Sequence, residues 1–154
     1  MTRHVPEGHH SLAPYLVVKD AARALDFYVR ALGAAEVERM TMPDGRIGHA
    51  ELRIGDSVVM LADEFPEEGC LAPTPGVRGP VSLHLYVEDV DAVVARAASL
   101  GARLERAVED RDYGDRRGDL VDPFGHRWLV ATHLADVPVE EIERRAGAAA
   151  QAPA

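Results

Sequence analysis

Apolar residues recur at two different periods along this chain, and the switches between them mark its elements. Leu16, Val17 and Val18 form a short apolar run closed by Lys19-Asp20, and from there Ala21, Leu25, Tyr28 and Leu32 recur at helical spacing. The same succession returns in the second half. Leu85-Tyr86-Val87 is closed by Glu88-Asp89, and Val90, Val93, Val94, Ala97 and Leu100 follow at helical spacing. Asp20 and Asp89 stand where a carboxylate can accept the free amides of a first helical turn. Both helical patterns stop at Leu-Gly-Ala, namely Leu32-Gly33-Ala34 and Leu100-Gly101-Ala102, where glycine permits a left-handed terminus.

Three strand-like stretches follow each helix. In the first half they cover about 35–42, 46–54 and 57–63, with turns at Pro43-Asp44-Gly45 and Gly55-Asp56. In the second half they cover about 102–108, 116–122 and 126–133, with Asp122-Pro123-Phe124-Gly125 as the last turn. The apolar runs before the helices, about 12–18 and 81–88, supply a first strand each. The pattern therefore predicts an α+β protein of two β-α-β-β-β modules, 11–63 and 81–134, joined by a Pro-, Gly- and Glu-rich linker over 64–80. A third helix is expected from Asp136 to about Ala146, with a frayed Ala/Gln/Pro tail to residue 154. One face of each sheet lies under its helix, so the other must be covered by a partner or line a cavity.

Composition narrows the function classes. The net charge is −9, which disfavours nucleic acid and anionic membrane as partners because both select clustered positive charge. Such a surface favours cationic ligands instead. The single cysteine, Cys70, excludes an intrachain disulfide and reads as incidental. The N-terminal residues lack the apolar core of a signal peptide, and no apolar run approaches the roughly 20 residues of a membrane span. A cytoplasmic location is the expectation.

The repeat resembles the vicinal oxygen chelate superfamily, which includes glyoxalase I, extradiol dioxygenases, fosfomycin-resistance enzymes and bleomycin-resistance proteins. Within it the chain is similar to the PhnB-like branch. The matching stretches are Pro14-Tyr15-Leu16-Val17-Val18, Gly48-His49-Ala50-Glu51-Leu52-Arg53-Ile54-Gly55-Asp56, Tyr113-Gly114-Asp115-Arg116, Asp122-Pro123-Phe124-Gly125-His126 and Ala131-Thr132-His133. The resemblance implies tandem modules forming a curved, half-barrel mixed sheet around a ligand cavity. It also implies four metal-ligand positions, on the first and last strand of each module. Those positions map to Ala13, Met60, Ser82 and Leu129, which cannot supply the nitrogen and oxygen shell of a divalent ion. A shift of two on the fifth strand alone would offer His84. The expectation is a cavity with no metal and no cofactor.

Strand alternation then assigns the cavity wall. With Ala13 inside, Tyr15 and Val17 share its face; with Ser82 inside, so do His84 and Tyr86. Met60 and Leu129 line the last strands, while His49, Glu51 and Arg53 face inward because Ala50, Leu52 and Ile54 belong to the helix side. Tyr113 and Arg116 come from the glycine loop that would cap the cavity, with Arg116 as a fork for an anion. Trp128 reads as core, and His133 as a strand-end residue pinning the last helix. Three functions fit. The first is a binding protein of the bleomycin-resistance type, holding a small organic molecule through Tyr15, His49, Met60, Ser82, His84, Tyr86, Tyr113 and Leu129. The second is a metal-independent lyase or isomerase using His84 or Glu51 as base and Arg116 or Tyr113 as electrophile. The third is a metal enzyme with a shifted shell drawn from His49, Glu51 and His84. A symmetric homodimer is expected, because it would cover the bare sheet faces.

Overall fold

A computed structural model describes residues 3–153. The order is β1 (Tyr15–Val18), α1 (Ala21–Leu32), β2 (Ala35–Thr41), β3 (Ile47–Ile54) and β4 (Ser57–Asp63), then β5 (Leu83–Tyr86), α2 (Val90–Ser99), β6 (Arg103–Asp110), β7 (Asp115–Val121) and β8 (Arg127–His133), closed by α3 (Val139–Gln151). Two four-stranded sheets form, ordered β1-β4-β3-β2 and β5-β8-β7-β6. β1 runs parallel to β4 and β5 parallel to β8, and the other pairings are antiparallel. This is an α+β fold of two equivalent units, with no closed barrel.

The local chemistry of the repeat explains its geometry. Asp20 accepts from the Arg23 amide at 3.1 Å and Asp89 from the Ala92 amide at 3.0 Å, each capping its helix. A second acceptor reaches each helix start from the last strand of its own sheet. Asp63 takes the Ala21 amide at 2.8 Å, and Thr132 takes the Val90 amide at 3.0 Å. The helix is thereby pinned across the edge of the sheet it covers. Gly33 ends α1 at φ +69°, and its neighbour Ala34 returns an amide to the Tyr28 carbonyl at 3.2 Å.

The two units join through their helix layers. Ala24, Leu25, Phe27, Tyr28 and Ala31 of α1 are buried, as are Val90, Val93, Val94 and Ala97 of α2, and one core runs through both units. Arg96 Nε reaches the Ala31 carbonyl at 3.1 Å, and Phe124 packs edge-on against Phe27 with centroids 6.1 Å apart. Within the chain the two modules therefore pack helix layer to helix layer.

Both first strands and the last helix depart from the sequence expectation, α3 starting at Val139 rather than Asp136. The tail expected to fray continues α3 through Gln151, consistent with the high helix propensity of its alanines. β1 and β5 are shorter than their apolar runs, starting at Tyr15 and Leu83; Pro14 still accepts the Met60 amide at 2.9 Å, but a proline has no amide to give to the ladder.

Candidate functional site

The alternation expected for the strands holds on the faces away from the helices. Leu16 and Val18 are buried under α1 while Tyr15 stays half exposed; Leu83 and Leu85 pack against the core while His84 and Tyr86 are exposed. Registers place Tyr15 beside Met60, Met60 beside Glu51, and His84 beside Leu129.

On the first sheet a polar chain forms around a buried carboxylate. Tyr15 Oη lies 3.0 Å from His49 Nδ1, and His49 Nε2 lies 3.5 Å from Glu51 Oε1. Because Nε2 faces a carboxylate, it carries the proton, and Nδ1 accepts from the tyrosine. Glu51 is only 7% exposed, and its two oxygens sit 3.1 and 3.0 Å from Nε2 of His9. His9 Nδ1 faces the Glu7 carbonyl at 3.1 Å, so both ring nitrogens meet acceptors. Hydrogen bonding to Glu51 therefore raises the His9 pKa above 6.5. Burial pushes the Glu51 carboxyl up, but hydrogen bonds from His9 and His49 outweigh it and leave the group below its ordinary 4.5. The chain before β1 thus lies over the first sheet, which the N-terminal sequence did not announce.

The second sheet carries a counterpart. Tyr86 Oη donates to Asp115 Oδ2 at 3.2 Å, and His133 bridges Asp115 at 2.8 Å and Asp136 at 2.9 Å. With acceptors on both ring nitrogens, led by Asp115, the His133 pKa is raised as well. The His84 ring packs against that of Tyr86 with centroids 4.7 Å apart and a tilt of 47°. Tyr113 Oη accepts from Arg117 Nη1 at 3.0 Å.

Arg116 requires a correction. Its Nε and Nη2 reach Asp91 of α2 at 2.7 and 2.9 Å, and Nη1 reaches Asp110 at 2.9 Å. The side chain therefore points to the helix side, and its Nε/Nη2 fork is already taken by Asp91, so it offers no fork to a cavity. Arg117, one residue on, takes the opposite face and clamps Asp119 at 2.7 and 3.1 Å. Asp119 is fully buried, with Arg127 Nη2 at 3.6 Å and Arg106 Nε at 3.8 Å also beside it. Ser82 Oγ, on the strand-entry segment, lies 3.4 Å from Arg127 Nη1.

Besides a hollow of about 580 Å³ bordered only by the N-terminal segment Arg3–His9, concave space against the sheets falls in two places among the described residues. A hollow of about 480 Å³ lies between Tyr15 and Val17 of β1, the start of β8, and the linker from Leu71 to Val81, which roofs it. A second of about 250 Å³ lies between Val58 and Ser82–Leu85 and includes His84. His49, Glu51, Met60, Tyr86, Tyr113 and Leu129 border neither hollow. The inward pattern read from the strands therefore splits into a polar cluster on each sheet and a cavity beside them. Arg78, Arg103, Glu105 and Arg127, which border the larger hollow, were missed. The i, i+2 pair Arg103/Glu105 was the signal available.

Of the positions that the sequence pattern assigns to a family metal, Ala13 and Ser82 precede β1 and β5 instead of lying on them; together with Met60 and Leu129 they offer one hydroxyl and no nitrogen or carboxylate, a set that does not suit a divalent ion. Among the described residues, the potential ligand atoms that do converge are those of Glu38, His49 and Glu51, all within 4.8 Å of one another. His84, on the other sheet, is not among them.

The fold and this repeat define a class of protein, and the comparisons agree on it. Residues 8–130 match the family model of the Glyoxalase/Bleomycin resistance protein/Dioxygenase superfamily, and the chain belongs to that family. It is 46% identical over 136 residues to the uncharacterized protein Mb0911c of Mycobacterium bovis, covering 86% of this chain and 90% of that one. The crystal structure of TioX from Micromonospora sp. ML1 superposes with a TM-score of 0.63 at 28% identity, covering 81% of this chain and 99% of that one. The PhnB protein from Bacillus cereus shares the fold with a TM-score of 0.63 at 16% identity, covering 80% and 99%.

Proposed function

We propose that this protein binds a small organic molecule without the family's usual metal. The observation carrying the reading is the roofed hollow of about 480 Å³, a volume suited to a drug-sized ligand. Its walls mix Tyr15, Val17, Val77 and Val121 with a few charged heads, the usual make-up of a binding pocket. The unsuitable donors at Ala13, Met60, Ser82 and Leu129 support the metal-free part. The metal-independent enzyme reading is weaker, because His84 and Glu51 lie on different sheets and Glu51 is already engaged by His9 and His49. A thermal-shift screen of small organic compounds tests the proposal. A ligand at a hundred times its Kd stabilises by about 2.7 kcal/mol, so a true binder gives a clear, concentration-dependent rise in Tm. Catalytic turnover with no stable binder would overturn the reading.

A metal-dependent reading rests on Glu38, His49 and Glu51, whose side-chain donors suit zinc or a harder divalent ion. Metal analysis of purified protein decides it: one equivalent lost on His49→Ala would establish it in place of the metal-free reading.

The homodimer belongs to the same proposal. Leu12, Tyr86 and Val81 are 88, 61 and 74% exposed, and a second copy of this chain would cover such apolar side chains. Sedimentation as a monomer at micromolar concentration would overturn it. No helix among the described residues is long and apolar enough to cross a membrane, and with its single exposed thiol, Cys70, the chain suits a reducing cytoplasm.

A further inference from the structure

We infer that the ligand of the larger hollow is an organic anion, an apolar body carrying a carboxylate, sulfonate or phosphate-type group. The inference rests on the proposal that this hollow binds a small molecule, and adds the ligand's charge.

The formal charge of the chain is −9, yet the hollow is locally the reverse. Its charged lining residues are Arg78, Arg103, Arg127 and Glu105, three guanidinium groups around one carboxylate. Glu105 can neutralise only one of them. Arg127 takes that place, with Nε 2.9 Å from Oε2, and is further held by Ser82. The nearest nitrogens of Arg103 and Arg78 stand 3.5 and 3.7 Å from Glu105, and neither side chain makes a hydrogen bond among the described residues. Both are largely exposed, at 70 and 62%, with their donors unspent.

The one other carboxylate beside these guanidinium groups, buried Asp119 at 3.6 Å from Arg127 Nη2, is already matched by its own clamp, Arg117. His126 donates its Nε2 proton to the Val17 carbonyl at 2.9 Å, and the Tyr15 hydroxyl is turned to His49. Two planar forks beside an apolar wall of Val17, Val77 and Val121 match an anion in bidentate geometry next to hydrocarbon. A cation in the same hollow would meet two uncompensated positive charges. The acidity of the whole chain does not decide this, since exposed charges beyond about 8 Å are screened at physiological salt.

Two dyes of similar shape test the charge: anilinonaphthalene sulfonate and its uncharged analogue phenylnaphthylamine, titrated by fluorescence into the full chain. The sulfonate should bind at least about tenfold more tightly, with an advantage that shrinks as salt is added. The double variant Arg78→Gln/Arg103→Gln changes only exposed side chains and should erase that advantage while leaving the neutral dye unaffected. Equal binding of both dyes, unchanged in the double variant, would overturn the anion assignment and leave the small-molecule reading standing. Failure of both dyes to bind would count against the small-molecule reading itself.

Discussion

Tyr28 of the first module donates its hydroxyl proton to Asp122 of the second across 2.5 Å, in the buried centre of the molecule. Asp122 is 3% exposed and is fully employed. It also accepts from Trp128 Nε1 at 2.9 Å and from the amides of Phe124 and His126, both at 2.9 Å. Burial, with the Asp122 charge beside it, holds the Tyr28 pKa well above the ordinary tyrosine range, so the phenol stays a donor. The turn that closes the second module is thereby bonded to the helix of the first. Tyr28→Phe should cost about 1.5–3 kcal/mol, the range for a hydrogen bond to a charged group. Urea denaturation checks it; an unchanged midpoint would show that the remaining donors suffice.

The pairing of Arg117 with Asp119 should matter far more than that of Arg116 with Asp91 and Asp110. Arg116 and its partners sit at the surface, where ion pairs contribute about 0–1 kcal/mol. Asp119 is fully buried, and removing one partner of such a pair costs about 3–5 kcal/mol, at the lower end here because Arg127 remains nearby. Thermal melts of Arg116→Ala and Arg117→Ala should therefore separate clearly, and comparable melts would refute the assignment of faces on β7.

Docking of the N-terminal segment on the first sheet should depend on pH. The His9 pKa is raised in the folded state, chiefly by its hydrogen bond to Glu51, so its contribution is full below 6.5 and is lost as pH rises through the raised value. The Glu51 pKa is lowered, so its contribution is present above 4.5 and is lost as pH falls through the lowered value. Protection of the amides around His9 in hydrogen exchange, corrected for intrinsic rates, should peak between those limits and flatten in Glu51→Gln. A pH-independent profile in the unmodified protein would contradict the docking.

Gly114→Ala should loosen the C-terminal segment. Gly114 adopts φ +99°, and a Cβ there would overlap the Ala135 carbonyl oxygen. Its own carbonyl accepts the amides of Leu134 and Ala135 at 2.9 and 3.0 Å. Strain at such a position costs about 1–3 kcal/mol before the steric overlap is added. Faster hydrogen exchange from Leu134 through α3, together with a lower melting temperature, is the expected result; native protection there would show that the segment does not depend on this glycine.

His84→Ala and Leu85→Ala should act in opposite ways. His84 is exposed, and its loss should move stability by no more than about 0.5 kcal/mol. Leu85 packs against the core, and its truncation should cost about 2 kcal/mol, near the lower bound for leucine because the site is not fully buried. A large drop for His84→Ala in thermal melts would mean that the histidine is structural and the register of β5 misread.

The sequence by itself determined the repeat. Asp20 and Asp89, the paired Leu-Gly-Ala stops and the alternation along each strand are local signals, and each works within a few residues of where it is written. They suffice for two β-α-β-β-β units and for the side of the sheet on which Tyr15, His49, Glu51, His84 and Tyr86 fall. Tertiary structure decided what those faces meet. His9 reaches Glu51 across a separation of 42 residues, and Tyr28 reaches Asp122 across 94, which no periodicity encodes. On β7 the inward residue is Arg117 rather than Arg116, because a strand's phase is fixed by what covers its two faces, and α2 supplies Asp91 on one of them. The linker composition announced a connection but not a roof, since a Pro- and Gly-rich segment takes its path from the surfaces it crosses. That path brings Arg78 over the second sheet to Glu105, and only there does an acidic chain acquire a hollow with an excess of positive charge.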